Sequence, residues 1–207
     1  MKDEKSDPPV PVPEQVEGGK TDTTHAIEAG DLAAAHTLFL GCKNRLLNIN
    51  EWGQIAGKLS AEFRLTDEHG KEISGLPQVG NFIRIDIPGP GTTVGDGYDW
   101  VQVEEIEDKT DPKGEVESVY IRVRPADNPV NDKNDVAHFF NSKASSSFTL
   151  DRQGLNVTAG VHGRNEVPNT DTERLLDKAR NAAVGTAAII GFNAPQWKGL
   201  VKGVMGE

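Results

Sequence analysis

His162, Arg164 and Glu166 stand at alternate positions of "VHGRNEV", the spacing that puts three side chains on one face of an extended strand. A histidine with a carboxylate beside it can move a proton, so His162 with Glu166 is a candidate acid-base pair for chemistry of the cyclase or hydrolase kind. Without a pocket around it, the same row is a polar strand face with local ion pairs, because one face of an antiparallel sheet is commonly solvated. Asp135 and His138 of "DVAHFF", taken together with His162 and Glu166, offer at most four zinc ligands from two segments, but the spacing carries no zinc signature. Tyr98 and Trp100 share a strand face, and Tyr120 lies opposite the aliphatic face of its own strand. As neighbours these three form an aromatic cluster that either lines a cavity or packs against another element.

Most other chemistry is missing. "GPGTTVGDG" at 89–97 lacks the Lys-Ser/Thr of a phosphate loop and leads into strand-like residues, so it reads as a glycine-rich hairpin connection. No G-x-S-x-G, H-E-x-x-H or paired-cysteine spacing occurs. "DKTDPKGEVE" and "DNPVNDKND" bunch oxygen ligands outside the EF-hand register, as solvated turns do. No metal and no cofactor is expected.

The elements that must position these residues begin with a chain of 207 residues, 36% hydrophobic and 26% charged, long enough for one domain and a tail. A net charge of -10 argues against nucleic-acid or anionic-membrane partners, which are approached through clustered Lys and Arg. The single cysteine, Cys42, rules out an intramolecular disulfide and sits in an apolar run as a small buried hydrophobe. With no apolar h-region near the start, the expected location is the cytoplasm. Residues 1–31 are so rich in charge, Pro, Gly and Thr that they are expected to form a disordered tail. Its "PPVPVP" is an extended spacer, or a ligand through which the tail meets a protein partner.

From Leu32 the chain reads as folded. "AAHTLFLG" has strand composition, and "NINEWGQIAGKL" carries Ile49, Trp52, Ile55, Ala56 and Leu59 at helical spacing, with Asn48 and Glu51 as caps. Period two follows. Ala61, Phe63 and Leu65, then Ile83, Ile85 and Ile87, then Val101 and Val103, then Val119, Ile121 and Val123 each share one strand face, and "DEHG" at 67–70 turns into a short strand. "SSSFTLDRQ" and "LNVTAGVHGRNEV" form a hairpin through Gly154. Thr170 with Glu173 is a capping box for a helix whose apolar face is built from small residues, among them Ala179, Ala183 and Ala187. That helix is expected to stop near Gly191, and a second short one begins at Pro195 with Trp197, Leu200, Val201 and Val204 as its stripe.

This order, a strand, a short helical region, about six antiparallel strands and a long closing helix, resembles the helix-grip superfamily, the START and Bet v 1-like (SRPBCC-type) domains. The resemblance covers roughly residues 32–207, rests on element order and carries no catalytic signature. It implies an α+β fold in which a curved antiparallel sheet of about seven strands packs on a long carboxy-terminal helix, as one domain over 32–207. It also implies a cavity between sheet and helix. The function expected on that basis is non-catalytic binding of an apolar or amphipathic small molecule. Its candidate binding residues are Tyr98, Trp100, Tyr120, His138, His162, Arg164, Glu166 and Ala183. Two alternatives stand beside it: an interaction or assembly component without a small-molecule ligand, and an enzyme using His162 and Glu166.

Overall fold

The computed structural model describes residues 12–57, 60–86, 98–130, 140–167 and 186–207, with side chains in the last segment from Pro195 onward. Seven strands appear among them: β1 (Gly19–Glu28), β2 (Glu62–Thr66), β3 (Phe82–Asp86), β4 (Asp99–Lys109), β5 (Val116–Pro125), β6 (Ser145–Gln153) and β7 (Asn156–Glu166). The helices are α1 (Leu32–Leu47), the short α2 (Trp52–Ala56), which follows one 3-10 turn, and α3 (Thr186–Met205). All strands pair antiparallel in one sheet, in the order β1-β7-β6-β5-β4-β3-β2. The first and last strands are thus neighbours, and α3 lies against α2, β1, β7 and α1. This is the helix-grip arrangement, and the fold class is the α+β sheet with a closing helix that element order implied.

The apolar rows found by their period of two face the helices wherever they are described; Ile87 lies outside the described residues. Phe63, Leu65, Ile83, Val103, Val119 and Ile121 are buried on this inner face, together with Phe148, Leu150, Val157 and Val161. The β6–β7 hairpin turns at Gly154, whose φ of 60° suits glycine. The stripe of α3 is equally real, with Leu200, Val201 and Val204 buried. Gly199 and Gly203 set its depth, since a Cβ on either would collide with the carbonyl oxygens of Ala56 and Ile55 in α2. No helix among the described residues is long and apolar enough to cross a membrane.

Four expectations need correction. Residues 19–28, assigned to a disordered tail, form β1 along the whole of β7, from Gly19 opposite Glu166 to Glu28 opposite Asn156. The composition is polar, yet Thr21, Thr23, His25 and Ile27 alternate as the half-buried face, so the period-two signal was present beneath it. The segment "AAHTLFLG" is helical instead of extended. Asp31 caps it by accepting from the Ala34 amide at 2.7 Å, and Ala35, Phe39, Cys42 and Leu46 recur at the spacing of a buried helix face. The sheet therefore reaches seven strands with β1 as the first, not with residues 34–41. The helix expected to break before Pro195 runs through it. In addition, the strand after "DEHG" shrinks to a single bridge between Thr66 and Glu72. The capping box at Thr170, with Ala179 and Ala183, lies outside the described residues.

Candidate functional site

The inner face does not close completely. Between the inner face of β2 to β7 and the helices α2 and α3, a partly enclosed cavity of about 70 Å³ remains. Aromatic rings line it beside Ile83, Ile85, Val101 and Val123: Phe140 ahead of β6, and a group of four made by Trp52 from α2, Phe63 from β2, Phe148 from β6 and Trp197 from α3. These four touch in a continuous chain. Trp52 and Phe148 have centroids 4.5 Å apart, Trp52 and Phe63 5.5 Å, and Phe148 and Trp197 5.7 Å. The rings are held from behind, since Trp52 Nε1 donates to the Leu46 carbonyl at 2.9 Å. Polar groups enter at a few points: Asp99 from β4, Ser146 from β6, Gln196 from α3, and Glu166 at the end of β7. Gln196 is oriented by its Oε1, which accepts from the Ala61 amide at 3.2 Å.

Glu166 reaches this space through a local backbone event. Asn165 adopts φ 55°, in the left-handed region, and so interrupts the alternation of β7. Its side chain also grips the segment ahead of β1, with Oδ1 accepting from the Val16 and Glu17 amides at 2.8 and 3.2 Å. Past this bulge Glu166 falls on the inner face, over Gly163 and Gly19, where the Thr21 hydroxyl donates to Oε1 at 3.3 Å. Burial pushes its carboxyl above the usual glutamate range, against opposing contributions from Thr21 and Arg164.

The expected row of three is therefore split. His162 and Arg164 remain on the outer face and converge on Asp22 of β1, with His162 Nδ1 2.7 Å and Arg164 Nη2 2.6 Å from the same Oδ1. Burial would raise the Asp22 carboxyl, but the hydrogen bonds from His162 and Arg164 outweigh it and hold it below the usual range. His162 and Glu166 do not act as an acid-base pair or chelate one ion, because the sheet lies between them. Asp135 and His138, the other half of the zinc set, lie outside the described residues. Among the described residues no three His, Cys, Asp or Glu side chains gather as a metal site would require.

The aromatic trio also faces outward. Tyr120 is fully buried there and its hydroxyl lies 3.2 Å from Ser147 Oγ. Trp100, on the same side, is buried close to the turn at Gly70, and Tyr98 carries the Arg84 guanidinium 4.7 Å above its ring. None of the three borders the cavity. Its own aromatics were legible only as helix stripes and strand faces, and the convergence of residues 52, 63, 148 and 197 depends on the sheet.

The outer face holds one more perturbed group. Asp151 is pushed up to about 6 by burial, and its Oδ1 has no hydrogen-bond partner among the described residues. Between the ordinary 3.8 and this value the unfolded chain gives up a proton that the folded chain keeps. Stability from this group is therefore complete below that window and falls as pH rises through it. Asp151→Asn is expected to flatten the profile between pH 4 and 7 and to be more stable than wild type at pH 7 by ~1 to 3 kcal/mol. Urea midpoints at both pH values check this, and an unchanged slope rules it out.

No protein-family model matches the chain, and no curated protein matches it in sequence. Solved structures do. A major latex-like protein from Panax ginseng is 12% identical with TM-score 0.39, covering 91% of this chain and 97% of that one. A norcoclaurine synthase mutant from Thalictrum, solved with a transition-state analogue, is 11% identical with TM-score 0.36 over 93% and 98%. Protein Ms6760 from Mycobacterium smegmatis is 12% identical with TM-score 0.35 over 87% and 88%. These are likenesses of fold at low sequence identity.

Proposed function

We propose that this protein is a non-catalytic binding module that takes one end of an apolar or amphipathic small molecule into the cavity between the sheet and the carboxy-terminal helix. The observation that carries this reading is the four-ring wall of Trp52, Phe63, Phe148 and Trp197, broken by a few polar groups. That is the composition of a ligand pocket: mostly apolar, with few orienting groups. At about 70 Å³ the space is smaller than the roughly 150 Å³ that accommodates benzene, so it suits a compact end group and not a whole drug-sized molecule. The mechanism is sequestration, and the single buried cysteine suits a reducing cytoplasm.

An apolar fluorescent probe is the direct test, read by its own emission and by Trp52 and Trp197. Wild type is expected to bind it saturably. Ser146→Phe, which places a ring in the cavity from β6, is expected to weaken uptake at least ~10-fold while changing stability by no more than the ~1 to 3 kcal/mol of an overpacked site. A wild type that takes up no probe refutes the reading and leaves the interaction or assembly component as the function.

A further inference from the structure

The cavity holds hydrogen-bond donors that the protein itself does not use. Gln196 comes to it from α3 with its amide fixed in one orientation. The Ala61 amide can only donate, so the atom 3.2 Å from it is Oε1, and Nε2 is left as the free end of a side chain that borders the cavity. Among the described residues neither Nε2 nor the Ser146 hydroxyl, which enters from β6, has a partner within the protein. The acids of the lining stand differently. Asp99 is engaged within the protein, and Glu166 takes the Thr21 hydroxyl at 3.3 Å and feels the favourable charge of Arg164. They call for no cation, yet with no Lys, Arg or His in the described lining they repel an anion. Space sets the last limit: roughly 150 Å³ accommodates the six carbons of benzene, so about 70 Å³ accommodates about three non-hydrogen atoms.

We infer that the end group held in this cavity is an uncharged carbonyl, the acetyl end of a methyl ketone, whose oxygen accepts from Gln196 Nε2 and whose methyl group lies among the rings. The inference rests on the binding-module reading and specifies its ligand class. A carbonyl oxygen has two lone pairs and no hydrogen, so it can also accept from Ser146 on the sheet side. It brings no O–H or N–H that the aromatic wall would leave unpaired. An acetyl group matches the space in size. Gln196 is the specificity-determining residue, and the Ala61 amide positions it.

The experiment isolates the oxygen from the rest of the molecule. Three compounds are titrated against the apolar probe bound to the full-length protein: heptan-2-one; 2-methylhept-1-ene, in which a methylene replaces the carbonyl oxygen; and hexanoate, in which a charged oxygen replaces the methyl group. Gln196→Glu keeps an acceptor for the Ala61 amide and removes the donor. It is expected to raise the ketone concentration needed for displacement by ~3- to 10-fold, the worth of one hydrogen bond, while the alkene changes by less than ~2-fold. Ser146→Ala is expected to shift the ketone and spare the alkene in the same way. In wild type, hexanoate is expected to need a concentration at least ~10-fold higher than the ketone. Equal shifts of ketone and alkene in both variants, displacement by hexanoate at a lower concentration than the ketone, or no displacement by the ketone overturns the carbonyl inference, while probe uptake leaves the cavity reading standing. A selective shift in Ser146→Ala alone overturns the role of Gln196. A wild type that takes up no probe removes both.

Discussion

A chain that lacks residues 1–28 is expected to fail to fold. β1 is an edge strand, but it covers the full length of β7, and β7 supplies Val157, Ala159 and Val161 to the core. Its removal deletes a ladder of backbone hydrogen bonds at ~1 kcal/mol each. It also takes Asp22 away from Arg164, which is only 8% exposed and would keep a buried charge without its carboxylate. On the other side His25 loses its 2.9 Å contact with Glu207 at the end of α3. Together these exceed ~5 kcal/mol, the lower end of the stability of an entire domain. The truncated chain should show no cooperative thermal transition and collapsed amide dispersion. A melting temperature within about 2 °C of full length would mean that β1 is dispensable and that the tail reading was right after all.

The second large effect concerns a charge cluster buried beneath α1. Glu117 sits in the inner row of β5 beside Val119 and Ile121, at 1% exposure. One of its oxygens accepts from Arg152 Nε and lies 2.8 Å from His36 Nδ1 of α1, and the other accepts from the Asp111 amide at 3.0 Å. Arg152, also 1% exposed, donates from Nη2 to the Gly114 carbonyl at 2.6 Å and from Nη1 to the Gly154 carbonyl at 3.3 Å. Two loops and a helix are thereby tied to one ion pair. Glu117→Leu strands the guanidinium in the core and is expected to cost ~3 to 5 kcal/mol. Glu117→Leu with Arg152→Leu removes both charges and is expected to recover at least half of that loss. Denaturant midpoints of wild type, Glu117→Leu, Arg152→Leu alone and the double variant close the cycle. Additive losses in the double variant would show that the two side chains act separately.

The same residues show where sequence reading stops. The strands β2 to β7, the Gly154 hairpin, the buried Cys42 and the stripe of Leu200, Val201 and Val204 were legible, because each is a local periodicity that burial of one face imposes on neighbouring residues. The fold followed from their order. α1 was misread because a short window, "HTLFL", resembles a strand while its helical spacing only shows over Ala35 to Leu46. β1 was missed because its stability comes from β7, more than a hundred residues away, and its own composition contributes little. Glu117 did break an apolar row, a signal in plain view, but nothing local names Arg152 or His36 as its partners.

For the site the division is sharper. Residue types and alternation on β7 determined that His162 and Arg164 share a face, and they do. One left-handed residue, Asn165, held by the segment ahead of β1, sent Glu166 to the other side and ended the proposed acid-base pair. The cavity likewise joins rings from α2, β2, β6 and α3, separated by up to 145 positions (Trp52 to Trp197). Periodicity reports which face of an element is apolar. Which apolar faces meet, and what space they leave between them, depends on the depth at which Gly199 and Gly203 seat α3 on α2, and that is settled by packing in three dimensions.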